Sequence, residues 1–204
     1  MRLLKNYKLK PEARIFELGA HQCIVAMMLA NIVGPKGEVI ALEASKHNYN
    51  VALKNILINR IKNIKIIHSA ASNVDGQLIF NETLNGQVDD GGAAECCVRV
   101  NALSVDTLSK RFGTPDVLWV DVEGYECQVL EGARDTLSTC PDCFIEVHVG
   151  VGLEKFHGSV QQIVNYFPSN KYELLVASND GNFIKFSHES EILNKRFFLV
   201  AISK

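Results

Sequence analysis

The sequence predicts an α/β fold: a doubly wound, mainly parallel, seven-stranded sheet with helices on both faces. Short apolar runs alternate with helical stretches along the chain, as in successive β–α–β units with right-handed crossovers. Two runs, residues 117–121 and 143–149, are almost entirely apolar, which is typical of strands buried on both faces. The 204 residues show no repeat or linker, so we expect residues 1–204 to form a single domain.

The individual elements follow from the apolar runs and the residues that separate them. Gly34-Pro35-Lys36-Gly37 is a tight break before the second strand, and Ser45 is placed to cap the second helix. We expect strands at residues 14–18, 38–42, 64–68, 77–80, 97–101, 117–121, 143–149, 173–177 and 197–202. We expect helices at residues 21–33, 46–59, 104–111, 124–137 and 160–167. The last two strands, with residues 183–186 between them, should form an antiparallel hairpin. Residues 85–95 are rich in Gly, Asp and Asn and predict a mobile loop.

Composition and charge exclude several classes of protein. The formal net charge is −2, and no basic stretch could follow a phosphate backbone, so nucleic acid is not expected as the main partner. The longest apolar run, residues 24–33, is about half the length needed to cross a bilayer. The basic N-terminus lacks the apolar segment of a secretory signal. We therefore expect a cytoplasmic protein whose six cysteines are reduced thiols.

The ends of the first two strands predict a nucleoside site. Gly19 and Ala20 follow Glu17 at the end of the first strand, where small residues let a ligand approach the backbone. Glu43 and Ala44 end the second strand, where an acid can accept hydrogen bonds from both ribose hydroxyls. A plain turn and a solvent-facing acid are the alternatives. The single glycine disfavours the pyrophosphate of NAD, whereas S-adenosylmethionine carries ribose and adenine without a pyrophosphate.

Small residues also follow the third strand. Ser69, Ala70, Ala71 and Ser72 can line an adenine slot, with Ser72 at the edge of the base. A close-packed strand end explains the same pattern equally well, and the sequence leaves both interpretations open.

Acidic and imidazole groups end the next two strands and are candidates for catalysis. Asp121 and Glu123 follow the fourth strand of the alternating series, where carboxylates need a role or partners. Strand alternation places them on opposite faces, so we favour Asp121 at the reacting methyl group and consider helix capping for Glu123. His148 ends the fifth strand, where it is either a general base for a hydroxyl or a structural residue.

The cysteines predict no metal site. Cys140 and Cys143 have the spacing of half a zinc site, but no second pair completes the four ligands that structural zinc requires. Cys96 and Cys97 are adjacent and have the wrong spacing. We interpret all of them as ordinary thiols.

Taken together, these motifs resemble the FkbM family of class I methyltransferases. The most specific part is Val120-Asp121-Val122-Glu123-Gly124-Tyr125-Glu126 followed by Leu130-Glu131-Gly132-Ala133. Supporting segments lie at residues 9–11, 15–20, 34–43, 53–55, 105–108 and 145–148, so the resemblance covers residues 9–148. The family commonly has Asp, Asn and Gly where Glu17, His21 and Cys23 stand here.

The resemblance implies a Rossmann-like class I fold, S-adenosylmethionine as methyl donor, and O-methylation of a hydroxyl on a sugar or secondary metabolite. It places Glu17, Gly19 and Ala20 at the methionine end and Glu43 at the ribose. It places residues 69–72 at the adenine and Asp121 beside the methyl group.

Two other classes remain open. One is a degenerate, non-catalytic binding module, motivated by His21 and Cys23. The other is an NAD-dependent oxidoreductase, which the missing glycines disfavour. The acceptor is a small molecule or glycan whose pocket we expect residues 85–95 and 150–159 to shape, and the oligomeric state is left open.

Overall fold

A sheet of eight strands forms the centre of the computed structural model, which describes residues 8–81, 87–88, 97–177, 182–186 and 191–204. The strands in chain order are β1 (Arg14–Leu18), β2 (Glu38–Glu43), β3 (Ile64–His68), β4 (Ala70–Ser72), β5 (Gly76–Asn81), β6 (Gln87–Val88), β7 (Cys97–Ser104), β8 (Val117–Val120), β9 (Asp142–Val147), β10 (Tyr172–Ala177), β11 (Phe183–Lys185) and β12 (Phe197–Ser203). The order across the main sheet is β11-β10-β12-β9-β8-β1-β2-β3.

Five strands of the main sheet, β3-β2-β1-β8-β9, are parallel to their neighbours. The remaining three strands are antiparallel, with β12 paired to β9 and β10 paired to β12 and β11. The sheet is therefore mainly parallel, but the predicted count of seven strands is wrong. The eighth strand is β11, a run of three residues that pairs with the outer edge of β10 and is too short to show a periodic pattern.

A second, smaller sheet has the strand order β4-β7-β5-β6. The sequence predicts strands close to β5 and β7 but not their separate sheet. The periodicity of a strand shows which of its residues are buried, but it does not show which other strand it pairs with. Most of the loop predicted at residues 85–95 lies outside the described residues. Residues 87 and 88 are described, and they form β6 against the end of β5.

Helices cover both faces of the main sheet. They are α1 (Ile24–Val33), α2 (Lys46–Ile58), α3 (Val105–Phe112), α4 (Glu126–Glu131), α5 (Arg134–Ser138) and α6 (Val160–Asn165). One buried cluster joins the sheet to α1 and α2, and the other joins it to α3, α4, α5 and α6. Successive side chains of β1 point to opposite faces of the sheet, so Ile15 belongs to the first cluster and Phe16 to the second.

Three helices begin with the serine caps that short polar side chains favour. Ser45, Ser104 and Ser159 each accept a hydrogen bond from a backbone N–H of the first turn. Helix α1 has no side-chain cap and instead starts at Cys23 in the left-handed conformation. Among the described residues, no helix is long and apolar enough to cross a membrane.

Candidate active site

A cavity of about 330 Å³ lies at the carboxyl ends of β1, β2 and β8. Its volume is within the range of roughly 300–1,000 Å³ found for small-molecule sites. The strand order reverses between β1 and β8, which is the position where such sheets bind ligands. The predicted cofactor residues that line it are Glu17, Gly19, Ala20, Glu43, Ala44, Ser69, Ala70, Ala71 and Asp121.

Ser72 does not line this cavity. Its side chain is buried, and its Oγ donates a hydrogen bond of 3.1 Å to Oδ1 of Asn73. Its carbonyl oxygen lies so close to Gly132 that a Cβ there would overlap it. The structure therefore places Ser72 at a close-packed strand end, the alternative to the adenine slot.

The turn after β1 brings two strand ends together. Gly19 has φ +91°, and a Cβ at this position would overlap the main-chain oxygen of Asp121. Gly19 and Ala20 donate their N–H groups to the carbonyl oxygen of Leu42, which ties the turn to β2. Only glycine combines this backbone conformation with the absence of a side chain.

The two residues that depart from the family pattern lie in different places. His21 and Cys23 both have positive φ, at 49° and 61°. His21 is exposed and lines the cavity, whereas Cys23 is fully buried in the cluster between the sheet and α1. The larger side chain of Cys23 therefore fills space in the core and not in the cavity.

Glu17 is a buried carboxylate that faces the cavity and has an unused acceptor. Its side chain is 1% exposed, and its Oε2 has no hydrogen-bond partner among the described residues. Burial raises the pKa of Glu17 well above its usual value, and the charge of Asp121 raises it further. Such a group is stabilised by a cation or a hydrogen-bond donor placed beside it.

Glu43 is held in place by the backbone around it. Its Oε2 accepts a hydrogen bond of 2.7 Å from the N–H of His21, and its Oε1 accepts one of 2.7 Å from the N–H of Ser45. Burial raises the pKa of Glu43 to about 7, although these hydrogen bonds act in the opposite direction. The carboxylate links the turn after β1 to the end of β2 and keeps further lone pairs for a ligand.

Apolar side chains that the sequence did not single out complete the wall. Phe80 from β5 and Val88 from β6 line the cavity together with Ala70 and Ala71 from β4. Phe80 is 6% exposed, while its neighbour Ile79 is 41% exposed on the other face of the strand. The second sheet thus supplies a flat hydrophobic surface to the site.

Three acidic side chains lie around the imidazole of His148. Its Nδ1 lies 2.7 Å from Oε1 of Glu126. Its Nε2 lies 3.3 Å from Oε2 of Glu123 and 3.7 Å from Oδ1 of Asp121. His148 is 1% exposed and Glu126 is fully buried, so these interactions occur largely out of water.

The charged groups in this cluster change one another's pKa values. The pKa of Asp121 is raised to about 7, chiefly by burial and also by the carboxylates of Glu146 and Glu123, while His148 acts in the opposite direction. For His148, burial lowers the pKa, but the hydrogen bond and charge of Glu126 outweigh burial and the pKa is raised.

The expectation that Asp121 and Glu123 lie on opposite faces is wrong. Strand β8 ends at Val120, and Glu123 has φ +52° in the following turn, so strand alternation no longer applies there. Both side chains reach the cavity and Nε2 of His148. Sequence reasoning also missed Glu126, since nothing in its position on the first turn of α4 shows that it is buried.

The fold and the position of the cavity define the class I methyltransferase fold, which known structures share at low sequence identity. One is a methyltransferase FkbM from Methylobacillus flagellatus, at a TM-score of 0.61 and 15% identity over 93% of this chain and 43% of that one. Another is a SAM-dependent methyltransferase from Aquifex aeolicus, with a TM-score of 0.55 and 14% identity over 99% of this chain and 87% of that one. A third is Aeropyrum pernix fibrillarin with natively bound S-adenosyl-L-methionine, with a TM-score of 0.57 and 15% identity over 98% of this chain and 72% of that one.

Residues 17–174 match the methyltransferase FkbM domain, so the chain belongs to the FkbM methyltransferase family. The methyl donor of this family is S-adenosylmethionine. The resemblance inferred from the motifs is confirmed. No curated protein sequence matches the chain.

The residues around the cavity fit this cofactor on three observations. The cavity of about 330 Å³ is lined at the turn after β1 by Gly19 and Ala20, which present no large side chain to a ligand. Glu17 presents a buried oxygen without a partner, suited to the ammonium group of the methionine part. Glu43 presents a fixed carboxylate, suited to the hydroxyl donors of a ribose.

Proposed function

We propose that this chain is an S-adenosylmethionine-dependent methyltransferase that methylates a hydroxyl oxygen of a sugar or secondary metabolite. One observation carries the proposal. Asp121 lines the cofactor cavity, and its Oδ1 lies 3.7 Å from Nε2 of His148. Groups able to take a proton therefore adjoin the cavity that would hold the methyl donor, as transfer to an oxygen requires.

The cofactor is oriented by the three strand ends. Glu17, Gly19 and Ala20 would hold the methionine end, with the ammonium group against the free oxygen of Glu17. Glu43 would accept hydrogen bonds from the ribose hydroxyls, with Ala44 beside it. Burial raises the pKa of both Glu17 and Glu43, and a cofactor with two positive charges, the ammonium and the sulfonium, would favour their ionised forms.

The adenine would lie against the second sheet, beside the end of β2. Ser69, Ala70 and Ala71 would line this slot together with Phe80. Ser69 donates its hydroxyl to the carbonyl oxygen of Asn101 at 2.9 Å, which fixes it in position. The apolar and aromatic contacts suit the faces of a purine.

The acceptor hydroxyl would enter beside Asp121, His148 and Glu123. The bound cofactor supplies a methyl group on a positively charged sulfur. The protein aligns the hydroxyl with that methyl group and removes its proton. Asp121 and His148 are our candidates for the proton-accepting group, and Glu123 is the third member of the cluster. Glu126 positions the imidazole through Nδ1.

The alternative of a non-catalytic binding module rests on the altered first turn. The burial of Cys23 in the core weakens that alternative, because this residue does not close the cavity. We expect the reaction in the cytoplasm, as the composition of the sequence suggests. We expect no nucleic-acid partner.

The experiment is a transfer assay with a panel of hydroxylated sugars and small phenolic or polyketide alcohols. It uses S-adenosylmethionine labelled in the methyl group, and the product is identified by mass spectrometry. Wild type is compared with Asp121→Asn, which removes a carboxylate, and with Glu173→Gln, which changes an exposed carboxylate on β10. Label on an acceptor oxygen with wild type and Glu173→Gln, and its loss with Asp121→Asn, support the proposal. Label on nitrogen or carbon would contradict the O-methylation.

A further inference from the structure

We propose that Asp121, Glu146 and His148 form a site for a divalent metal ion such as Mn²⁺. The three residues come from the carboxyl ends of the neighbouring strands β8 and β9. Each offers one ligand atom, and these atoms all lie within 4.8 Å of one another. Ligands of one octahedral ion are about 3–4.2 Å apart at bond lengths of ~2.1 Å, so a small contraction would complete the geometry.

An unpartnered nitrogen points into this cluster. Nε2 of His148 is buried and has no hydrogen-bond partner among the described residues. Its nearest neighbours are the carboxylate oxygens of Glu123 and Asp121, at 3.3 and 3.7 Å. A lone pair that faces carboxylate oxygens requires either a proton or a cation between them.

The other nitrogen of the same ring has the partner that metal-binding histidines commonly have. Nδ1 lies 2.7 Å from Oε1 of Glu126, so a hydrogen on Nδ1 is donated to a buried carboxylate. This contact leaves Nε2 as the lone-pair nitrogen and fixes the direction of the ring. A carboxylate–histidine pair with this geometry is a frequent support of metal ligands.

The charge around His148 also favours a cation. Asp121, Glu123, Glu126 and Glu146 lie around one imidazole, and Arg196 approaches from the side with its Nε 2.9 Å from Oε1 of Glu146. Because a carboxylate has two oxygens, the pair with Arg196 leaves Glu146 able to coordinate. One imidazole with several carboxylates suits Mn²⁺ and related divalent ions.

The consequence for the reaction rests on the proposed function. An ion at this site would bind the acceptor hydroxyl and lower its pKa, with His148 as a ligand. Because Asp121 and His148 would then be ligands of the ion, the proton-accepting role would move from them to Glu123, and the O–H bond breaks as the proton passes to its carboxylate. The electron pair of the oxygen then forms the bond to the methyl carbon, and the S–C bond breaks with its pair left on sulfur. Acceptors with two adjacent oxygens, such as vicinal diols, would bind best because they chelate the ion.

The test is a titration of the chelator-treated protein with Mn²⁺ alone, followed by electron paramagnetic resonance, without cofactor or acceptor. We expect one Mn²⁺ per chain and a nitrogen coupling in the pulsed spectrum. Asp121→Asn and Glu146→Gln should each weaken binding by about tenfold or more, whereas Glu173→Gln should not. His148→Gln should remove the nitrogen coupling. Glu146 is partly exposed, so its variant remains informative if His148→Gln fails to fold.

Two results would overturn the metal site: no binding to wild type, or binding that all three ligand variants leave unchanged. A parallel titration with S-adenosylmethionine separates this outcome from the proposed function. Cofactor binding without Mn²⁺ binding would remove the metal site and leave the methyltransferase. Mn²⁺ binding without cofactor binding would support the metal site and contradict the methyltransferase.

Discussion

Glu126 accepts a 2.7 Å hydrogen bond from Nδ1 of His148, and both side chains are almost completely out of water. The same oxygen of Glu126 accepts the N–H of Gly124 at 2.9 Å. One carboxylate on the first turn of α4 therefore fixes both the turn after β8 and the imidazole after β9. This contact joins the two strand ends that carry the proposed catalytic cluster.

Replacing Glu126 by Leu should destabilise the fold. The substitution leaves buried N–H groups of His148 and Gly124 without an acceptor, which costs about 1–3 kcal/mol for a neutral group. Glu126→Gln keeps an oxygen in place and should cost less. Urea unfolding measures both, with the exposed Glu131→Gln on the same helix as control. Equal stability of Glu126→Leu and wild type would show that the contact contributes nothing.

Replacing Gly19 by Ala should be more harmful than the same change at Gly34. Both glycines have positive φ, and such sparsely populated conformations cost an alanine on the order of 1–3 kcal/mol. A Cβ at Gly34 meets nothing within 4 Å, whereas one at Gly19 overlaps the backbone of Asp121. We expect Gly19→Ala to lose stability beyond the Gly34→Ala value and to lose cofactor binding. The same unfolding curve for both variants would contradict the close approach.

Cofactor affinity should depend on pH through Glu43. The folded pKa of Glu43 is raised to about 7 by burial, so the carboxylate takes up a proton as the pH falls through 7. A protonated carboxyl is a poorer acceptor for the ribose hydroxyls, so affinity should fall from pH 8 to pH 6 by about tenfold, one pH unit below the pKa. Titration calorimetry of wild type and Glu43→Gln measures this difference. Glu17 and Asp121 face the same cavity, so only the part of the pH dependence that Glu43→Gln removes belongs to Glu43.

Removing the aromatic wall of the second sheet should weaken cofactor binding. Phe80 is buried against the cavity, and truncation to Ala removes a contact surface worth about 1 kcal/mol or more, equivalent to roughly fivefold to tenfold in affinity. Ile79→Ala, the adjacent exposed residue, is the matched control. Fluorescence or calorimetric titration with S-adenosylhomocysteine compares the two. An equal loss in both variants would mean that Phe80 does not contact the adenine.

The sequence predicts the centre of the main sheet well because β1, β2, β8 and β9 are buried on both faces and carry clear apolar runs. As the sequence predicts, the chain turns after α1 at the tetrapeptide that begins with Gly34, and α2 begins after the cap at Ser45. The short strand β11 and the second sheet were not predicted. Their formation depends on pairing with distant segments, which local periodicity does not report.

The same distinction holds in the site. Glu17, Gly19 and Glu43 are found at the cavity because parallel strands bring their carboxyl ends to one edge. Glu123 was assigned to the wrong face because the prediction extended the alternation of strand β8 beyond Val120. The strand ends there, and Glu123 lies in a turn with positive φ. Burial of Glu126 depends on its contact with His148, which is distant in the sequence, and nothing in its local sequence carries that information.

The most direct test of the central claim is calorimetric titration of wild type and Glu43→Gln with S-adenosylmethionine, S-adenosylhomocysteine and NAD. We expect wild type to bind the first two with one site per chain and NAD not at all. Glu43→Gln should weaken both cofactor forms by about tenfold, the scale of one charged hydrogen bond. Absence of binding by wild type, or tight binding of NAD, would contradict the assignment as an S-adenosylmethionine-dependent methyltransferase.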